Sequence, residues 1–247
     1  MSRLRDRWQR EQFAPGWLGW LNTPFVLARR GLHRELCALL PQLSGTVIDV
    51  GCGRKPYRDL VPATRYVGLD IDTPVTRALA AADQFYDGRT LPLADASCDG
   101  ALCSQVLEHV FTPEEFLREL ARVLRPGGLL VLTVPFAWDE HEQPHDFARY
   151  SSFGLRALLE RNGFAVLEQR KSVRGAAAVA QLASGWLYKA SRTRFRPLNL
   201  LVQLLLLAPI NLLGGVLGAL LPHSEDFYLD NIVLARRRAD PAAAAQP

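Results

Sequence analysis

The sequence predicts an α/β protein: a doubly wound, seven-stranded sheet, a helical cap before it, and an apolar helical insertion between strands six and seven. Three observations carry this prediction. Short apolar runs alternate with amphipathic helix patterns over residues 46–172, as in a parallel sheet with crossover helices. The first run ends in a glycine turn, Gly51-Cys52-Gly53, at the strand end where such sheets bind ligands. Residues 198–221 carry no charge at all and precede one last strand-like run.

Residues 1–44 read as the cap. "FVLARRGLHRELCALLPQL" sets Phe25, Leu27, Leu32, Leu36, Leu39 and Leu40 near one helix face. Trp17 and Trp20 precede it as a packing staple, with an interfacial anchor the lesser alternative. The core, 45–172, begins with "TVIDV" (46–50), a buried strand ended by glycine. Further strands follow at 65–70, 84–86, 98–104 and 129–136, and "FAVLEQRKSV" is the sixth. Between them, 112–124 is a helix with Thr112 as cap, Pro113 at its first position and Glu115 closing a capping box. "SSFGLRALLERNGF" is a second capped helix, ended by Asn162-Gly163. The insertion spans 173–223, the seventh strand lies in 224–237 ("DFYLDNIVLARR", 226–237), and 238–247 reads as a disordered tail.

The 247 residues carry a net charge of +4, with 26 arginines against three lysines. No basic stripe with interleaved aromatics is present, so nucleic acid is not an expected partner. Cys37, Cys52, Cys98 and Cys103 form no CxxC pair, which argues against structural zinc and disulfides and fits a reducing cytosol. "MSRLRDRWQREQF" lacks the apolar run of a signal peptide.

The glycine turn alone suits several nucleotide-like cofactors. Glycines let a ligand approach the backbone, and Asp70, ending the second strand, can accept bonds from ribose hydroxyls. A nicotinamide site would use both features. Two observations weigh against it: Pro56 stands where G-x-G-x-x-G has its third glycine, and Asp49 precedes the turn. A carboxylate there suits a cationic ligand better than a pyrophosphate.

The run of "VIDVGCG", "YVGLDID", "YDGRTLPLADASCDGALCSQVLEHV", "LRELARVLRPGGLLVLTVP" and "LLERNGF" resembles the class I S-adenosylmethionine-dependent methyltransferases, in their small-molecule (type 11) branch. The resemblance covers about half the chain and implies roles by position. Gly51, Cys52 and Gly53 would line the methionine and ribose part of S-adenosylmethionine. Asp49 would hold its amino end through water, and Asp70, with Ile71 beside it, the ribose. Asp87 would accept the adenine amino group beside Gly88, while Ser104 and Gln105 would border the methyl. Lys55 stands where many members have a third glycine, so a reshaped turn is expected, with Pro56 starting the next helix. Plainer readings stand beside these: Asp49 as a turn cap, Asp70 as a solvated strand end, Asp87 as a turn residue, and Cys52 as a small turn filler. Glu108 and His109 are read as structural.

A hydroxyl acceptor needs a base. The loop after strand five, "PFAWDEHEQPHDFARYSS", is dense in titratable groups. His141 or His145 is the expected base, with Arg149 and Tyr150 orienting the acceptor. The alternatives are a solvated loop, or Asp146–Arg149 as a structural pair. A metal set of His141, His145 and Asp146 is a minor alternative, and no metal is expected.

The apolar stretch 198–221 is long enough to span a bilayer, about 36 Å against about 30 Å. Topology objects, since strand seven must return to the same sheet. A surface-lying or re-entrant hairpin is expected instead, broken at Pro209–Asn211 and Gly214-Gly215 into halves of about 16 Å. Lys189, Arg192, Arg194 and Arg196 precede it and favour an anionic cytoplasmic leaflet. A dimer interface or lid is the alternative. The function expected is methylation of a small-molecule, lipid or lipid-linked glycan acceptor, with oxygen the expected atom. The location expected is the inner face of the membrane. The rivals are a non-catalytic S-adenosylmethionine-binding module and an NAD-dependent oxidoreductase.

Overall fold

A computed structural model describes residues 11–222 and 224–239. They fall into two compact units: Leu36–Arg170 with the residues from Asn231 onward, and the residues up to Glu35 with Lys171–Asp230. The expected cap up to Glu35 thus falls in one unit with the expected insertion, and its residues 36–44 fall with the sheet. The start of the chain and the end of the expected tail lie outside the described residues. Arg238, placed in that tail by the sequence, donates its N–H to the Gly163 carbonyl at 2.8 Å, so ordered chain runs past residue 237.

The sheet contains β1 (Gly45–Val50), β2 (Ala63–Ile71), β3 (Gln84–Tyr86), β4 (Cys98–Ser104), β5 (Leu124–Pro135), β6 (Phe164–Lys171) and β7 (Asp230–Arg237). Its order is β3-β2-β1-β4-β5-β7-β6. The pairs β1–β2, β1–β4, β2–β3 and β4–β5 are parallel. β1, β4 and β5 are flanked on both sides, which is why they read as nearly unbroken apolar runs. Ile48, Leu130 and Leu132 are fully buried in one core with Leu117, Leu120, Leu155 and Leu159 from the covering helices. Each such side chain contributes about 1.5–3 kcal/mol by leaving water.

The helices are α1 (Gly19–Asn22), α2 (Val26–Leu39), α3 (Pro74–Leu79), α4 (Pro113–Val123), α5 (Ser152–Arg161), α6 (Gly175–Ser191), α7 (Arg196–Val202) and α8 (Ala208–Leu220). α5 is capped as its sequence predicts: Ser151 Oγ accepts from Gly154 N, and Gly163 takes φ +91° beyond its end. α4 is not. Thr112 sits at φ −115°, ψ 74° and makes no side-chain cap bond, so Pro113 opens the helix without the capping box. "RPGG" does not precede β5 but bulges within it. Cys98 pairs with Leu124 and Gly100 with Leu129, and Gly127 turns the bulge at φ +83°. Residues 226–229 likewise come before β7 rather than in it.

In the helical unit, the hairpin differs from the one expected. Residues Arg196–Leu220 form one continuous helix, with no break at Pro209. A π turn over Gln203–Leu207 joins α7 to α8. Widening the ladder just before Pro209 accommodates the missing N–H and the ring. The antiparallel partner is α6, which packs along α8. A Cβ on Gly214 would lie 2.3 Å from the Ala180 Cβ, and one on Gly218 2.7 Å from the Ala177 Cβ. Small residues at that spacing let two helix backbones meet closely. Buried polar groups fix the pair: Gln181 accepts from Ala28 N at 3.0 Å and donates to Pro24 O at 2.8 Å. Ser184 Oγ donates to Pro24 O, and Asn211 Nδ2 donates to Thr23 O.

Candidate functional site

The carboxyl ends of β1, β2 and β4 build a cradle. Gly51 and Gly53 both take left-handed φ, +71° and +49°, which glycine adopts without strain. A Cβ on Gly51 would strike Val106 Cγ2 at 2.3 Å, whereas one on Gly53 would meet nothing within 4 Å. Gly51 is therefore fixed by packing, and Gly53 faces open space. Asp70 ends buried, accepting from Gly53 N at 3.1 Å and Ile71 N at 2.9 Å. Burial raises its carboxyl above the ordinary value, against those two N–H bonds. Asp49 is 3% exposed and accepts from Tyr66 Oη at 2.7 Å. Its burial pushes the carboxyl up to about 7, with the Tyr66 bond and Lys55 opposing.

Lys55 resolves the missing glycine. It adopts φ +54° itself, the conformation a glycine would take there at less cost. Its Nζ pairs with Asp83 at 2.7 Å, and that carboxylate also accepts from Gly68 N. The stem lies across Gly68, where a Cβ would be 2.2 Å from Lys55 Cε. The turn thus keeps a glycine-like path, held by an ion pair. Pro56 does not start a helix; only a 3₁₀ turn, Arg58–Leu60, follows.

On the far side, Asp87 Oδ1 accepts from Arg89 N and Thr90 N, both at 2.8 Å, and these bonds hold its carboxyl below the ordinary range. Gly88 stands at φ +84°, with Ile71 Cδ1 3.1 Å from where its Cβ would be. Ile71 is 43% exposed, an apolar side chain beside an open backbone. Ser104 Oγ and Gln105 Nε2 both reach Thr133 Oγ1, at 2.9 and 3.1 Å. Gln105 has φ +57°, a conformation that a side chain of this size holds only when its surroundings impose it.

Beyond β4 and β5 the chain assembles a second cluster. Glu108 is fully buried, with Oε1 3.9 Å from His109 Nε2. The His109 and His141 rings meet edge to face at 4.8 Å. His141 approaches Asp146 twice, through its backbone N at 2.9 Å and Nδ1 at 3.3 Å. Asp146 is clasped by Arg149 through two bonds of 2.6 and 2.7 Å, which hold its carboxyl far below the ordinary range.

Comparison with known proteins agrees with this arrangement. Residues 48–132 match the family model described as a methyltransferase domain. A Mycolicibacterium smegmatis protein named "probable S-adenosylmethionine-dependent methyltransferase" is 32% identical over 66% of this chain and 65% of its own length. An Aspergillus nomiae O-methyltransferase is 29% identical over 58% of this chain and 74% of its own. The crystal structure of a Mesorhizobium loti S-adenosylmethionine-dependent methyltransferase superposes with a TM-score of 0.52 at 19% identity, covering 83% of this chain and 96% of that one. The sheet has the fold of that solved methyltransferase, and residues 48–132 within it are similar to the methyltransferase domain. This chain spans just under two thirds of the Mycolicibacterium relative's length.

The cradle fits S-adenosylmethionine: open backbone at Gly53, a buried carboxyl on each of β1 and β2, and exposed Ile71 beside Gly88. Cys52 is a turn filler; its buried thiol is pushed up to about 12, mainly by burial, so it is no nucleophile at neutral pH. His145 is exposed: its carbonyl, not its ring, joins the cluster, accepting from His109 Nδ1. Arg149 is bonded within the loop. Its five N–H groups go to Asp146, Ala148 O, Asp139 O and Trp138 O, all within the loop. Tyr150 packs against the core, and burial pushes its phenol up to about 12. His109, read as structural in the sequence, stands in the cluster instead. Its only sequence signal is its place just after β4.

Proposed function

We propose that this chain is an S-adenosylmethionine-dependent methyltransferase that methylates an oxygen of a small-molecule, lipid or lipid-linked acceptor at a membrane surface. The observation that carries the first half is the glycine cradle flanked by Asp49 and Asp70. Gly51, Cys52 and Gly53 line the methionine side. Asp49 faces the amino end, Asp70 and Ile71 the ribose, Asp87 and Gly88 the adenine, and Ser104 and Gln105 the methyl. Bound there, S-adenosylmethionine supplies a methyl group already activated by its sulfonium charge. The chain's own task is to align the acceptor and exclude water. A hydroxyl acceptor must also lose a proton, and the Glu108–His109–His141 cluster is the group of side chains suited to promote that loss. Asp146 orients His141, and Arg149 holds Asp146. The Aspergillus O-methyltransferase relative supports oxygen as the atom methylated.

The membrane half rests on the helical unit. Its polar and small side chains are inside: Gln181, Ser184 and Asn211 are fully buried. Along Arg196–Leu220 most of the large apolar ones are outside, Leu207 excepted, with Leu205 69% and Leu220 76% exposed, joined by Leu200, Leu201 and Leu213. That inversion suits an apolar solvent. The link between α6 and α7 carries Arg192, Arg194 and Arg196, which are costly to drive through hydrocarbon. The hairpin therefore lies along the interface rather than crossing it.

Calorimetry with S-adenosylhomocysteine against NAD tests the cofactor: tighter binding of NAD would remove the reading. Incubation with methyl-labelled S-adenosylmethionine and a lipid extract tests the rest. Label in a base-stable lipid ether or in an ester is expected. Cofactor binding with no label in any lipid or soluble acceptor would favour a non-catalytic module.

A further inference from the structure

One ring nitrogen each from His109 and His141 and one carboxylate oxygen of Glu108 lie within 4.8 Å of one another. The bonds behind them are as informative as that distance. His109 Nδ1 donates to the His145 carbonyl at 2.7 Å, so its lone pair sits on Nε2, the atom facing Glu108. His141 Nδ1 faces Asp146 Oδ2 and the Asp139 carbonyl, each at 3.3 Å, which leaves Nε2 as its lone-pair atom too. An oxygen acceptor behind the far nitrogen is the support that metal-ligating histidines have; it fixes both tautomer and ring direction. Arg149 extends it one step further by fixing Asp146.

We propose that Glu108, His109 and His141 bind one divalent transition-metal ion of the zinc class. Two imidazoles and a carboxylate are a donor set that such ions take, and three protein ligands leave a fourth position open. A tetrahedral ion with bonds of about 2.1 Å separates its ligand atoms by about 3.4 Å. The three side chains need to close by only about an ångström or so to reach that. A cation also suits a carboxylate buried as fully as Glu108. The set differs from His141, His145 and Asp146, the minor alternative to the expectation of no metal, because His145 is exposed and Asp146 supports His141 from behind. Binding of the ion is independent of the methyl-transfer reading. Its consequence rests on that reading: at the open position an acceptor hydroxyl would be polarised and its proton more readily lost.

The test is titration of the metal-stripped full-length chain with Co²⁺, followed by visible absorption. One equivalent should produce a d–d band that Zn²⁺ abolishes. Glu108→Gln and His141→Ala should each weaken Co²⁺ binding at least about a hundredfold, and Asp146→Asn about ten- to a hundredfold. His145→Ala, which keeps the backbone carbonyl, should stay within about twofold of the parent. S-adenosylhomocysteine affinity measured on the same samples reports whether each variant is folded. Absence of stoichiometric binding, or binding that survives both Glu108→Gln and His141→Ala in folded protein, overturns the site. One equivalent of Co²⁺ bound by a chain that does not bind S-adenosylhomocysteine would keep the metal site and remove the methyl-transfer reading.

Discussion

Leu132 and Leu205 have the same side chain and opposite surroundings. Leu132 lies fully buried in β5, while Leu205 is 69% exposed in the π turn before α8. Polar residues divide less cleanly, since Asp49 and Glu108 are buried in the sheet unit. Asp72 and Asp87 lie at the surface of the sheet unit, whereas Gln181, Ser184 and Asn211 are sealed inside the helical unit. The two units thus differ in which of these side chains they bury. Hydrophobicity alone would give both the same reading; only burial, side chain by side chain, tells them apart.

The largest expected effect is in the sheet. Leu132→Ala should cost about 2–5 kcal/mol in denaturant unfolding, from lost burial and the cavity left behind. In the helical unit the sensitive position is polar. Gln181→Leu removes bonds to Ala28 N and Pro24 O and should cost about 1–3 kcal/mol. A Gln181→Leu protein as stable as the parent would end the contrast between the units.

This inversion was only half legible in sequence. The chargeless run was visible, and so was the need for the chain to come back. The break was placed at Pro209 because proline usually interrupts a helix, but a π turn absorbs it and α6 is the return partner. In the sheet, short strand-like runs located every strand. The ends of β5 and the capping of α4 escaped, since both depend on pairing and backbone angles rather than residue type. At the site, the cradle positions could be read from one stretch of chain. The cluster could not, because Glu108 and His109 meet His141 only after β4 and β5 are paired. Nor could sequence show that the donors of Arg149 are engaged within the loop.

Next in size is a pH effect. Asp49 titrates near 7 in the fold, raised by burial, so its protonated form is favoured there. The stability this lends is fully present below the unfolded carboxyl value and is lost as pH rises through about 7. A ligand amine requires the ionised form. Affinity for S-adenosylhomocysteine should therefore rise about tenfold from pH 6 to pH 8, and calorimetry should find that slope absent in Asp49→Asn.

The smallest stability change is expected at the surface of the helical unit. Leu205→Ser should alter unfolding by less than about 0.5 kcal/mol. Combined with Leu213→Ser, it should nevertheless weaken sedimentation with vesicles containing anionic lipid. Undiminished sedimentation would remove the lipid-facing role of that face.

β7 stands between β5 and β6, although it follows the whole helical hairpin in the chain. During synthesis the flank of β5 therefore remains open until 230–237 has left the ribosome, by which time the leucine-covered helices have already emerged. The sheet closes last, so its completion waits on a helical segment that contributes no strand to it.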